Sequence, residues 1–195
     1  MNRFLFNPTR RPNEFSDRLK QRGFSLYELI VTSSIASILG IAAIGTFHVV
    51  QDTVMTSRVN QIMSELNLTR SEAINRGAAV TLCISEDGAT CTNNPPWQVG
   101  WIIFVDENGN HRRDVEETII RVSQKSTDQI AIRYGGERQS YSHLTYYPQG
   151  YARPNATFSF CDRRGSKNSK AVIINAVGRP RTYRPQGNEN SFHCS

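Results

Sequence analysis

Arg22–Phe47, RGFSLYELIVTSSIASILGIAAIGTF, is the stretch on which the reading of the whole chain turns. From Phe24 to Phe47 it holds one charged residue, Glu28. Twenty-odd residues of this kind make a helix of about 30–35 Å, enough to cross the hydrocarbon core of a bilayer. The flank before it carries Arg3, Arg10, Arg11, Arg18, Lys20 and Arg22, a cationic segment that should stay cytoplasmic. The rest of the chain is then expected on the far side of the inner membrane. A carboxylate at mid-span costs about 2.5–3.5 kcal/mol. Glu28 sits near the end of the span, where the cost is softer, but it still calls for a partner. A secretory signal peptide places a small-residue cleavage site after its apolar run, and no clear A-x-A site follows this one.

Past Phe47 the pattern becomes amphipathic. Met55, Val59, Ile62, Leu66, Thr69 and Ala73 recur at intervals of three and four, which is one face of a helix. Gly77, after Arg76, is a candidate C-cap. Beyond it the period changes to that of strands. The runs 79–84, 100–105, 118–122, 129–134, 143–147, 157–161 and 171–176 read as strands, separated by polar, turn-rich segments. The predicted fold class is α+β: one long N-terminal helix, half apolar and half amphipathic, packed on an antiparallel β-sheet. The organisation follows as 1–23, a leading segment; 24–47, the span; 48–77, the amphipathic helix; and 78–195, the β-rich domain.

Charge is unevenly spread. Residues 1–23 hold six basic against two acidic side chains, 24–148 nine against thirteen, and 149–195 eight against two. A mean hydropathy of −0.47 excludes a multi-span membrane protein. The four cysteines, Cys83, Cys91, Cys161 and Cys194, lack metal-site spacing and suit two disulfides in an oxidising compartment. The expected pairs are Cys83 with Cys91 and Cys161 with Cys194; Cys83 with Cys161 is the competing arrangement. Asp106, Asn108, Asn110, Asp114 and Glu117 have the offsets of a calcium loop. However, His111 stands where the sharp turn wants glycine, and a hairpin turn explains the same residues. The histidines are scattered, no nucleophile motif stands near a base, and no glycine-rich phosphate loop occurs, so no enzyme or cofactor is expected.

Near the C-terminus, NAVGRPRTYRPQ, Asn175 to Gln186, follows the last apolar run. It places Arg179, Arg181 and Arg184 within six residues. Pro180 stiffens the turn and Gly178 permits it. Guanidinium forks match phosphate oxygens. Arg163, Arg164, Lys167 and Lys170 precede that same run and are expected to meet the arginine loop if the strands pair antiparallel. Such a patch suits nucleic-acid backbone, or equally an acidic protein surface.

The segment Arg22-Gly23-Phe24-Ser25-Leu26-Tyr27-Glu28-Leu29 resembles the leader junction of type IV prepilins. That resemblance implies cleavage after Gly23 by a prepilin peptidase and methylation of Phe24. It also implies a role for Glu28 in pairing with an N-terminal amine during filament assembly. Downstream, Val80-Thr81-Leu82-Cys83, Asp87-Gly88, Cys91, Trp97, Gly100–Asp106, Glu117, Tyr147-Pro148-Gln149-Gly150, Phe158–Asp162 and Val177-Gly178-Arg179-Pro180-Arg181 are similar, in order, to the GspH/FimT family of minor pilins and pseudopilins. The resemblance implies a chain held in the inner membrane, with its domain in the periplasm, that joins other major and minor pilins in a surface pilus. The Gly-Arg-x-Arg element resembles the DNA-contacting element of FimT proteins. It implies binding of double-stranded DNA through Gly178, Arg179 and Arg181 during natural transformation. Arg184, Arg163, Arg164, Lys167 and Lys170 are electrostatic additions to that site. The other reading is a structural minor pilin, or a type II secretion pseudopilin, that primes assembly without binding DNA.

Overall fold

The structure is a computed structural model that describes residues 23–93, 96–126, 129–136 and 139–184, without the side chains of 40–49 and 167. The leader up to Arg22 and the tail bearing Cys194 lie outside the described residues. By its contacts the chain divides into two units, Met1–Gly45 and Thr46–Ser195.

Helix α1, Leu26–Arg76, runs through both units. Its first turn is capped by Ser25, whose hydroxyl accepts the Glu28 N–H at 3.3 Å. Ser25 and Glu28 thus hold the positions of a capping box. The hydroxyls of Thr32, Ser33, Ser34 and Ser37 donate back to carbonyls three or four residues earlier, so these polar groups are satisfied within the helix. Phe24, Leu26, Leu29, Ile30, Ile35, Ile38 and Leu39 are exposed. Among the described residues no helix is long and apolar enough to cross a membrane. The side chains from Gly40 to Phe47 that complete the apolar run of the sequence lie outside them. The helix ends where Gly77 takes φ +64°, a left-handed C-cap.

In the second unit Met55, Val59, Ile62, Leu66, Thr69 and Ala73 are all buried, so the three-and-four spacing marks the core face of the helix. Two antiparallel sheets complete this unit. The first has the order β3-β2-β1-β5-β6 and the second β4-β7-β8-β9. Their strands are β1 Val80–Ile84, β2 Gly100–Val105, β3 Ile119–Gln124, β4 Ala131–Gly135, β5 His143–Tyr146, β6 Ala152–Arg153, β7 Thr157–Cys161, β8 Lys170–Ile174 and β9 Pro180–Tyr183. β1 and β2 are buried along their whole length. One face, Val80, Leu82, Ile84, Trp101 and Ile103, belongs to the main core with α1. The other, Cys83, Ile102 and Phe104, is covered by Cys91 and Ile119. The core continues into the second sheet through Trp97, which meets Phe158 edge-on at 5.0 Å; Phe158 in turn stacks on Tyr134 at 4.2 Å.

The covering loop after β1 is fixed twice. Cys83 and Cys91 form a disulfide, and Asp87 accepts bonds from the Thr90 hydroxyl and the Ala89 and Thr90 amides at 2.6–2.8 Å. The Thr90 hydroxyl, then these amides, hold the Asp87 carboxyl well below the usual range. Cys161 is also disulfide-bonded. Its expected partner, Cys194, lies outside the described residues. Non-reducing peptide mapping should recover the Cys161 peptide joined to the C-terminal one. Cys83 paired with Cys91 leaves no place for the competing Cys83–Cys161 bond. Closing the loop of about 30 residues from Cys161 to Cys194 is worth about 3–4 kcal/mol by chain entropy. Recovery of Cys161 as a free thiol counts against the pairing.

Three elements differ from the sequence reading. The sheet is two sheets. Ala152–Arg153 forms a short strand read there as loop. Above all, Pro180–Tyr183, read as part of an arginine loop, is a strand that pairs antiparallel with β8, Ile174 against Pro180 through Ala171 against Tyr183. Its arginines and threonine disguise it because an edge strand needs few apolar side chains.

Candidate nucleic-acid interface

The turn that joins β8 to β9 is built by hydrogen bonds. The Gly178 amide donates to Asn175 O at 2.9 Å and the Arg179 amide to Asn175 Oδ1 at 2.8 Å. Gly178 takes φ +75° and is buried. A Cβ there would lie 2.2 Å from Gly150 O and 3.0 Å from Tyr151 Cα. Its carbonyl accepts the buried Tyr146 hydroxyl at 2.9 Å. The glycine of the Gly-Arg-x-Arg element therefore clamps the hairpin onto the turn Tyr147–Tyr151, whose two tyrosine rings stack at 4.8 Å. Gly178 is thus a buried point between exposed neighbours, Asn175, Ala176 and Val177 before it and Arg179 after it.

Arg179 and Arg181 are exposed. β9 is an edge strand among the described residues. Arg181 pairs with Ile173 and Tyr183 with Ala171, so these residues share the face of the sheet turned away from the core side chains Phe158 and Val172. Among the described residues no carboxylate pairs with Arg179, Arg181 or Arg184. An exposed guanidinium without an internal partner retains its full capacity for an external anion.

The remaining basic residues do not join this tip. The antiparallel register sets the loop after β7 at the opposite end of β8 from the turn. A five-residue strand separates the two by about 17 Å. Arg164 is half-buried and committed: it reaches Asp52 Oδ1 at 2.9 Å and Asp162 Oδ2 at 2.6 Å. Burial raises the Asp162 pKa, but the bonds from Arg164 outweigh it and leave the carboxyl lowered. Lys170 is 8% exposed and donates to Thr56 Oγ1 at 2.5 Å. It shares the inward face with Val172 and Ile174, which turns it toward α1. Arg163 is exposed and Arg184 is exposed, but both lie at the Lys170 end. The side chain of Lys167 lies outside the described residues. The eight-residue site expected from the sequence, Gly178 and seven basic residues, thus divides into a tip, with Gly178, Arg179 and Arg181, and a base, with Arg163, Arg164, Lys170 and Arg184.

Residues not singled out in the sequence also approach the tip. Arg153 is exposed two residues beyond Tyr151, and the Arg70 guanidinium lies 3.2 Å from where a Cβ on Gly150 would stand. No local signal links residues 70 and 150 to residue 178; only the packed glycines bring them together. In the Asp106–Glu117 loop the side chains serve the loop itself. Asp106 Oδ2 accepts Thr81 Oγ1 at 2.7 Å, Asp114 Oδ2 accepts the Asn108 and Asn110 amides, and Glu117 accepts the backbone amides of Glu107 and Asp114.

The family model of the type II transport protein GspH matches residues 58–178. Two crystal structures of the type IV minor pilin FimU from Pseudomonas aeruginosa, in space groups P65 and P21, share the fold. Their TM-scores are 0.51 and 0.50 at 20% and 19% identity, covering 66% and 67% of this chain and 91% and 89% of theirs. The minor pseudopilin EpsH of the Vibrio cholerae type 2 secretion system is 12% identical, with a TM-score of 0.47 over 68% of this chain and 98% of its own. No curated protein matches the chain.

Proposed function

The chain belongs to the GspH family of minor pilins and pseudopilins, and from that premise we propose that it is a minor type IV pilin that binds double-stranded DNA through the β8–β9 tip and promotes DNA uptake. The observation that carries this reading is the pair Arg179 and Arg181, exposed on an edge hairpin with no carboxylate partner among the described residues and fixed in place by the packing of Gly178 on Gly150. Contacts of this kind bind backbone phosphate rather than bases, which is what uptake of DNA of any sequence requires. Retarded migration of duplex DNA by the detergent-solubilised chain, with loss of transformation but not of pili when the tip is neutralised, is the expected result. Loss of pili or of secretion instead favours the second reading, a structural pilin or secretion pseudopilin. The match to a type II transport protein speaks for that alternative.

Before assembly, the stretch 24–47 holds the chain in the inner membrane with its domain in the periplasm, and prepilin peptidase cuts after Gly23. Gly23 and Phe24 are exposed just ahead of the helix, where a peptidase can reach them. The Glu28 carboxylate has no ion-pair partner among the described residues. It is left for the amine of Phe24 on an adjoining pilin, a charge pair worth more in apolar surroundings than in water. Intact mass of the membrane-extracted protein should correspond to a chain that begins at N-methylated Phe24. A mass that retains Met1, in cells with an active prepilin peptidase, rules out this processing.

A further inference from the structure

The turn on which the tip packs, Tyr147–Tyr151, carries an aromatic pair that stands outside both core clusters. The Tyr147 amide donates to Tyr151 O at 3.0 Å, which extends the β5–β6 register of Thr145 with Arg153 and Tyr146 with Ala152. Tyr146 and Ala152 are fully buried in the core. Strand alternation therefore puts Tyr147, Tyr151 and Arg153 together on the opposite face. The two tyrosine rings lie 4.8 Å apart and 21° from parallel. Both residues are half-buried, so each keeps open surface. Among the described residues neither phenol hydroxyl makes a hydrogen bond.

Cations surround this pair. Gly178 packs on Gly150 O and Tyr151 Cα, which sets Arg179 beside the turn. Arg153 is exposed on the face that bears the rings. The Arg70 guanidinium lies 3.2 Å from the Cβ position of Gly150, and its Nε is buried without a hydrogen-bond partner. Among the described residues no carboxylate pairs with Arg70, Arg153 or Arg179. Neutralising phosphates needs the arginines alone; the rings offer something that a phosphodiester cannot use. In a closed duplex each base face is covered by its neighbours, so an aromatic ring reaches only a base that is unpaired or at an end. Aromatic side chains beside a cationic track are the elements that hold single-stranded nucleic acid of any sequence. We propose that Tyr147 and Tyr151 form a stacking site for unpaired DNA bases, at a single-stranded stretch or an overhanging end, whose backbone Arg153 and Arg179 hold. This rests on the reading of the tip as a DNA interface and deepens it: the tip favours DNA ends over uninterrupted duplex.

Filter binding of the full chain in detergent tests this with three probes: a single strand, an abasic strand of equal length and a relaxed circular duplex. Wild type should hold the single strand about tenfold more tightly than the abasic one, the effect of one stacked base. Tyr147→Leu with Tyr151→Leu should lose that tenfold and bind both strands alike. Phenylalanine at both positions keeps the ring faces and should preserve it. Equal binding of the two strands by wild type overturns the proposal. So does a leucine pair that retains the preference, which puts the stacking elsewhere. A phenylalanine pair that loses it also overturns the proposal, because the hydroxyls and not the ring faces then make the contact. Circular dichroism checks folding. If the leucine pair does not fold, photocrosslinking of wild type to a strand that carries 5-iodouracil decides: crosslinks should map to Tyr147 or Tyr151, and crosslinks confined to other residues refute the site. The circular duplex separates the two readings. A chain that holds none of the three probes refutes the DNA interface and the stacking site with it, whereas one that holds the circle but prefers no base-bearing strand refutes the stacking site alone.

Discussion

Replacement of both Arg179 and Arg181 by Gln should weaken binding to every duplex sequence alike and flatten the dependence of log K on log salt by about two units. Each phosphate that a cation neutralises releases condensed counterions and contributes about −0.9 to that slope on B-DNA. Two contacts removed therefore appear as a change in slope, which a general loss of protein does not mimic. Both side chains are exposed and form no ion pair among the described residues, so the change in stability should stay within about 0.5 kcal/mol. Pili should still assemble while transformation falls. A double variant with wild-type affinity and slope moves the DNA site away from the tip and leaves the structural-pilin reading in its place. Arg164→Gln is an informative contrast. It should leave the slope alone and lower stability, because it strips the bonds that Asp52 and Asp162 receive.

Much of this fold was legible because its signals are local. The three-and-four spacing from Met55 to Ala73 named the helix face that proves buried, and a glycine after Arg76 marked the end of the helix. The runs read as strands at 79–84 and 100–105 are strands, and the structure shows both buried along their whole length. What the sequence hid was pairing. Pro180–Tyr183 carries too little apolar character to be recognised as a strand, and only its register with β8 reveals it. The same register undid the single basic patch: antiparallel strands put the loop before β8 and the turn after it at opposite ends. One clue was present. Lys170 has the same parity as Val172 and Ile174, and strand alternation alone turns it toward the helix. Arg164 offered no such clue, since its partner Asp52 lies far away in sequence.

The glycine of the Gly-Arg-x-Arg element decides whether that element is a phosphate contact throughout or a packing device that carries two phosphate contacts. Gly178→Ala should destabilise the domain by about 2–5 kcal/mol, the sum of two costs. A left-handed backbone angle costs a residue with a Cβ about 1–2 kcal/mol. The new methyl also meets backbone, Gly150 O at 2.2 Å, so it cannot be accommodated by a side-chain turn. Separating the two turns breaks the bond from the Tyr146 hydroxyl to Gly178 O and leaves a buried phenol unsatisfied, about 1–3 kcal/mol more. Gly109→Ala is the matched control: it also has a positive φ, +69°, but nothing lies within 4 Å of its Cβ position. It should lose only the conformational part. If Gly178 instead serves as a point of close approach for DNA, the alanine variant should unfold like Gly109→Ala and yet lose affinity. Urea unfolding and DNA retardation of the two variants side by side separate these outcomes. A Gly178→Ala chain as stable as Gly109→Ala refutes the packing role. A large loss confined to Gly178→Ala means that the glycine holds the platform from which Arg179 and Arg181 project.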